Sequence, residues 1–116
     1  MVPPTLTVHF YKTGAGAEPV ADWLRSLDRD TRKAIGTDIK TVETGWPLGM
    51  PLVRKLELGL WEVRSHIPDG IARVFFTTVG SKMVLLHGFI KKSDKTPKAD
   101  LALAKSRKDE VKNAKP

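Results

Sequence analysis

The stretch Leu60 to Lys92, LWEVRSHIPDGIARVFFTTVGSKMVLLHGFIKK, does most to limit what this chain can fold into. Runs rich in Val, Ile, Phe and Thr are interrupted at Pro68-Asp69-Gly70 and again at Gly80-Ser81. Apolar, β-branched runs separated by turn residues predict three consecutive strands joined by tight turns. In Leu60–Ile67 the side chains of Trp61, Val63 and Ile67 point one way and those of Glu62, Arg64 and His66 the other. In Ile71–Val79, Arg73 shares a face with Phe75 and Thr77, opposite Ala72, Val74 and Phe76. The pattern predicts an antiparallel sheet covered on one face, with Arg73 exposed on the polar one. Met83–Ile90 is almost wholly apolar, which suits a central strand. His87 inside that run reads as a buried or half-buried structural histidine.

The rest of the chain supplies a first strand and helices. Leu6–Tyr11 alternates as a strand and ends at Thr13-Gly14-Ala15-Gly16, a turn too short for a phosphate loop. Pro19–Leu27 has helical spacing at Val20, Trp23, Leu24 and Leu27, with Pro19 in the first turn. Asp28 or Asp30 caps a second helix that buries Ala34, Ile35, Ile39 and Val42 and stops at Gly45-Trp46-Pro47. Leu48–Pro51 is a loop, Leu52–Glu57 a short strand, and Gly59 marks the turn into the central stretch. Ser93–Thr96 reads as a polar loop. Thr96-Pro97 starts a last helix to about Val111, with Leu101, Ala104 and Leu103 inward. The cations near its end, Lys105, Arg107, Lys108, Lys112 and Lys115, complement the helix dipole.

Composition narrows the function classes. A chain of 116 residues fits one domain, 1–116. There is no cysteine, which removes disulfides, thiolate metal sites and a cysteine nucleophile. His9, His66 and His87 lack metal-ligand spacing, so neither a metal nor another cofactor is expected. With 20 Lys and Arg against 13 Asp and Glu, the balance favours an anionic partner. No apolar run approaches the ~20 residues of a membrane span. Met1-Val2-Pro3-Pro4 has no signal-peptide pattern, so the expected location is the cytoplasm.

Arg64 and Arg73 differ in parity, so whether they share a face depends on the turn between them. A Gly bulge at Asp69-Gly70 is one way to align them. LWEVRS at Leu60–Ser65, Arg73 followed by Val74-Phe75-Phe76, LLHGFIKK with the following KTP, and Ala104-x-x-Arg107 together resemble the HigB branch of the RelE/ParE toxin superfamily, the phage-derived killer proteins. The resemblance covers about Leu6 to Val111. It implies a compact RelE-like α+β domain with an N-terminal strand, a helical hairpin, an antiparallel sheet of about four to five strands and a C-terminal helix. It further implies the toxin of a type II toxin–antitoxin module, a metal-independent endoribonuclease (mRNA interferase) that cuts translated mRNA on the ribosome. A helix-turn-helix antitoxin would neutralise it in a hetero-oligomer.

By position in those motifs, Arg64, Arg73 and Lys92 resemble the family's basic catalytic cluster. Lys91, Lys95, Phe75 and His66 are the expected RNA-binding residues, with Phe75 or Phe89 able to stack on a base. Glu62 reads as a salt-bridge partner of Arg64 more readily than as a base. The one tyrosine, Tyr11, does not stand near the end of the last strand, where some relatives carry an aromatic. Two other readings stay open: a ParE-like inhibitor of DNA gyrase, and a non-catalytic module that binds antitoxin or RNA.

Overall fold

The computed structural model describes residues 5–92 and 95–114. The elements are β1 (Thr7–Phe10), α1 (Pro19–Ser26), α2 (Arg29–Gly45), β2 (Val53–Glu57), β3 (Leu60–Ile67), β4 (Gly70–Val79), β5 (Lys82–Lys91) and α3 (Lys98–Asn113). Ser93 and Asp94 of the expected loop, and Lys115 of the C-terminal charge run, lie outside the described residues. The strands form one sheet in the order β1-β5-β4-β3-β2. The class is α+β, but the sheet is mixed rather than antiparallel throughout, because β1 runs parallel to β5. Connectivity explains it: the helices deliver β2 to the far edge antiparallel to β1, and three reversals return β5 parallel to β1. Among the described residues, no helix is long and apolar enough to cross a membrane.

The helical hairpin forms where the apolar spacing places it. Pro19 opens α1, where its missing N–H costs no helical bond. Of the two aspartates, Asp28 is the cap of α2; its carboxylate accepts the Thr31 N–H at 3.2 Å. Hydrogen bonding from Thr31 holds the Asp28 carboxyl below its ordinary range. α2 ends at Gly45, and the Trp46 N–H closes it on the Val42 carbonyl. Ile35, Ile39 and Val42 pack with Val63, Val74 and Phe76 of the sheet. Trp46, Trp61 and Phe76 form an aromatic group with ring centroids 5.0 to 5.7 Å apart. Trp23 of α1 packs so closely on Gly88 that a Cβ there would lie 2.4 Å from its ring, so the glycine is required by contact.

The second face is not the open polar surface that alternation predicts. α3 lies across it and closes a second core of Tyr11, Leu60, Phe75, Val84, Leu86 and Ala104. Ala104 is fully buried, and its small side chain lets the helix come close, whereas Leu103 stays exposed. Pro97 rather than Thr96 stands at the N-cap position, and no side-chain bond caps the helix there. Between Phe75 and Phe76 the β4–β5 register shifts, leaving Leu86 without a pair. Arg107 of α3 donates from Nη1 to the Leu86 carbonyl at 2.8 Å and satisfies that bulge.

Candidate nucleic-acid interface

The turn between β3 and β4 aligns the two arginines without a bulge. Ile67 pairs with Gly70, so Pro68 and Asp69 form a two-residue loop. Such a loop pairs positions of opposite parity, and Arg64 stands directly opposite Arg73. Gly70 has φ +139°, and a Cβ there would lie 2.7 Å from the Lys91 carbonyl, which explains the glycine.

Cross-strand registers build three rows on the α3 face. Arg54, Glu62, Phe75 and His87 form the first. Arg64, Arg73 and Phe89 form the second, and His66, Ile71 and Lys91 the third. Arg54 was not predicted for this face. Counting back from the Leu58-Gly59 turn places it opposite Val63, on the apolar side. The register shift between Lys55 and Glu57 moves it opposite Glu62 instead.

Burial separates these residues into a floor and a rim. Glu62 and Arg73 are 0% exposed and Arg64 is 9% exposed. The expectation of an exposed Arg73 is therefore corrected: it is among the most deeply buried side chains of the protein. Its Nη1 donates to the Lys95 carbonyl at 3.1 Å and approaches the Thr96 hydroxyl at 3.5 Å. The guanidinium carbon stands 5.9 Å from the Phe89 ring centroid. The chain entering α3 thus lies over Arg73, a cover that strand alternation cannot show. Arg64 reaches Glu62 at 3.5 Å, an ion pair in keeping with the partner reading of Glu62.

The other predicted site residues divide in the same way. Phe75 is 0% exposed and packs edge-on against Phe89 at 5.3 Å, so it belongs to the core and offers no surface for a base. Phe89 is half-buried, stacked on His87 with centroids 5.6 Å apart. His87 Nε2 lies 2.5 Å from Asp100 Oδ1 and ties β5 to the first turn of α3, a structural role. His66, Lys91, Lys92 and Lys95 are exposed at the open end of this face. The structure brings Arg64, Arg73 and Lys91 onto adjoining rows, with Lys92 just beyond β5.

Tyr11 is engaged elsewhere. Its hydroxyl donates to Glu110 at 2.7 Å, and Arg107 lies 5.1 Å over its ring. The bond to Glu110, then burial and the Glu110 charge, push the phenol above its ordinary pKa against the opposing pull of Arg107. Among the described residues, no group of three or more His, Asp or Glu side chains is placed to hold a metal ion.

No curated protein matches the chain significantly. The profile of the phage-derived Gp49-like proteins matches residues 22–109, from α1 through most of α3. That span includes the second half of α1, all of α2, the paired arginines and the anchoring Arg107. The chain belongs to the phage-derived Gp49-like protein family, a family associated with RelE-like toxins.

Proposed function

We propose that this protein is the toxin of a toxin–antitoxin pair and an endoribonuclease that cuts translated mRNA on the ribosome, held inactive by a helix-turn-helix antitoxin. The observation that carries this reading is the direct pairing of Arg64 with Arg73 beneath a rim of exposed His66, Lys91 and Lys92. Membership of a family associated with RelE-like toxins supports it.

Cleavage without a cofactor needs three things of such a site. A base takes the proton from the ribose 2′-hydroxyl as its oxygen bonds to the adjacent phosphorus. Positive charge stabilises the phosphorane. An acid then gives a proton to the 5′ oxygen as its bond to phosphorus breaks, leaving a cyclic phosphate and a 5′-hydroxyl. Arg64, held by Glu62 and retaining some exposure, supplies preorganised charge. His66 and Lys92 are the exposed groups that move protons, and Lys91 and Lys95 hold the flanking backbone. Arg73 acts as a positioning residue, fixing the chain at Lys95 and Thr96.

Mapping of mRNA 5′ ends after brief induction tests the reading, with wild type beside His66→Ala and Lys92→Ala. Both side chains are exposed, so neither variant should lose the fold. New ends inside translated codons are expected with wild type, reduced about a hundredfold or more by loss of a proton-transfer group. Growth arrest with filamentation and intact mRNA would replace the nuclease reading with gyrase inhibition. Free growth without cleavage would leave a binding module.

A further inference from the structure

The face beneath α3 has a second end. Arg64 and Arg73 stand near the β3–β4 turn, whereas the β4–β5 turn lies at the other end of β4. At the rise of an extended strand, Val79 is roughly 20 Å from Arg73. There α3 ends at Asn113, and a cavity of about 660 Å³ opens between its last turn, the exit of β1 and the β4–β5 turn.

Two cross-strand rows lie under this cavity. His9 pairs with Val84, which pairs with Thr77, and Thr7 pairs with Lys82, which pairs with Val79. Val84 belongs to the core closed by α3, so both rows face that helix. Val79 and Val84 give an apolar floor and Val111 an apolar wall. Lys82 on β5 and Lys12 beyond β1 are exposed, and neither has an acidic partner among the described residues. Lys112, the next cation on α3, donates to the Thr78 carbonyl instead. Glu110 supplies the carboxylate of the lining. Its Oε2 accepts from the Tyr11 hydroxyl, while its Oε1 accepts from no described residue.

The two sides of the cavity therefore ask for opposite things. On the strand side, Lys12 and Lys82 attract an anion. On the helix side, the free oxygen of Glu110 and the last carbonyls of α3 accept hydrogen bonds and repel an anion. The valines between them suit an apolar or planar body. The volume is far larger than a bare anion needs and lies in the range of organic ligand sites. We propose that this cavity binds a nucleoside monophosphate, its phosphate on Lys12 and Lys82, its base against Val79, Val84 and Val111, and its ribose hydroxyls donating to Glu110. The nucleotide is either a free small molecule or one unit of an RNA strand, since the chemistry of recognition is the same. The site stands apart from the arginine floor and does not depend on the nuclease reading.

The test is an NMR titration of the amide signals of the full chain with guanosine 5′-monophosphate to millimolar concentration. Shifts are expected within residues 9–14, 79–84 and 110–114, and not at His66 or Lys91. Lys82→Glu should weaken binding by about tenfold or more, because it replaces attraction with repulsion. Lys55→Glu, the same charge change at an exposed position of β2, should leave binding unchanged. Glu110→Gln keeps an acceptor for Tyr11 but loses the charge; it should weaken the nucleotide and leave a fainter response to inorganic phosphate intact. An RNA trinucleotide that moves the same signals at lower concentration would assign the site to RNA, and a response to the mononucleotide alone would assign it to the free ligand. No shifts, shifts centred on His66 and Lys91, or an equal response to inorganic phosphate would each overturn the proposal. Nucleotide binding here with no mRNA cleavage in cells would leave this site standing and remove the nuclease reading; cleavage without such binding would do the reverse.

Discussion

Against α1 and α2 the sheet buries Val53, Val63, Ala72, Val74, Phe76 and Leu85, with no charged side chain among the fully buried members of that cluster. Against α3 the same strands bury Glu62, Arg64, Arg73 and Thr77 beside Leu60, Phe75 and Leu86. Strand alternation sends successive residues of one segment to these two environments. The first face gains stability from apolar area and close packing. The second buries charge, which recovers its desolvation cost only through well-placed partners. Such a face is poorly explained by stability alone, and the proposed RNA site is what would give it a use.

The largest effects come from breaking that division. Phe76→Ala, on the apolar face, should cost about 3–5 kcal/mol by urea denaturation, through lost burial and a cavity among Trp46 and Trp61. Arg73→Ala should cost about 3 kcal/mol or more, because it leaves Lys95 and Thr96 without their donor and alters a buried charge cluster. A variant with Glu62→Leu, Arg64→Met and Arg73→Met should behave differently. Apolar side chains of similar volume remove the desolvation cost together with the charges, so the triple variant should lose less than Arg73→Ala although both lose the bonds to Lys95 and Thr96. The proposed cleavage should vanish. If this variant unfolds, the charged floor is structural and the contrast between the faces collapses.

The comparison also explains how far the sequence could be read. Both hairpin helices and the strands β1, β3 and β4 follow from periodicity, β5 from a nearly continuous apolar run, and β2 from its place between turn residues. Arg73 shares its face with Phe75 and Thr77, as alternation requires. Its burial was not legible, because the cover comes from Lys95 and Thr96, more than twenty positions away, and leaves no mark on β4. α3 has a weak apolar stripe: Leu101 and Ala104 pack inward as the spacing places them, while Leu103 is exposed. The position of Arg54 depends on one unpaired residue, Leu56, and bulges leave little trace in composition. The parallel placement of β1 is decided by partners distant in sequence.

Two smaller effects sharpen the contrast, one on each face. Gly88→Val forces the Trp23 ring away from β5 and should cost about 1–3 kcal/mol by overpacking on the apolar side. Arg107→Ala removes a charged donor from the Leu86 carbonyl and the cation over Tyr11, on the α3 side. Its cost should be about 1.5–3 kcal/mol. Arg107→Lys, with no planar fork to stack on the ring, should recover only part of it. The two variants should differ in hydrogen exchange. Loss of Arg107 should loosen α3 and leave α1 and α2 protected, whereas loss of Gly88 should loosen α1 first.

The smallest effect concerns how α3 is fastened at the far end of its face, and it depends on pH. Glu57 accepts from Lys105 at 3.0 Å and from Lys108 at 3.2 Å, and Lys108 also reaches the Leu58 carbonyl. The bond from Lys105 draws the Glu57 carboxyl below its ordinary pKa; burial opposes it, and Lys108 adds to the lowering. A carboxyl with a lower pKa in the folded state binds fewer protons there than in the unfolded chain across the intervening range. Its contribution is therefore complete above the ordinary glutamate value and is lost as pH falls through that value and below it. Glu57 is 32% exposed, and Lys105 more so, so solvent limits the pair to about 0.5 kcal/mol at neutral pH. Glu57→Gln should be less stable than wild type by that small margin at pH 7, with the two curves meeting under acid conditions. Added salt should shrink the margin as well, since these charges lie at the surface. The buried ion pair of Arg64 and Glu62 is screened less, and Arg64→Met should show a weaker salt dependence than Glu57→Gln. A margin at Glu57 that persists unchanged in acid and high salt would mean that shape, rather than charge, fastens α3 at this end, and that charge on this face is concentrated at the arginine floor.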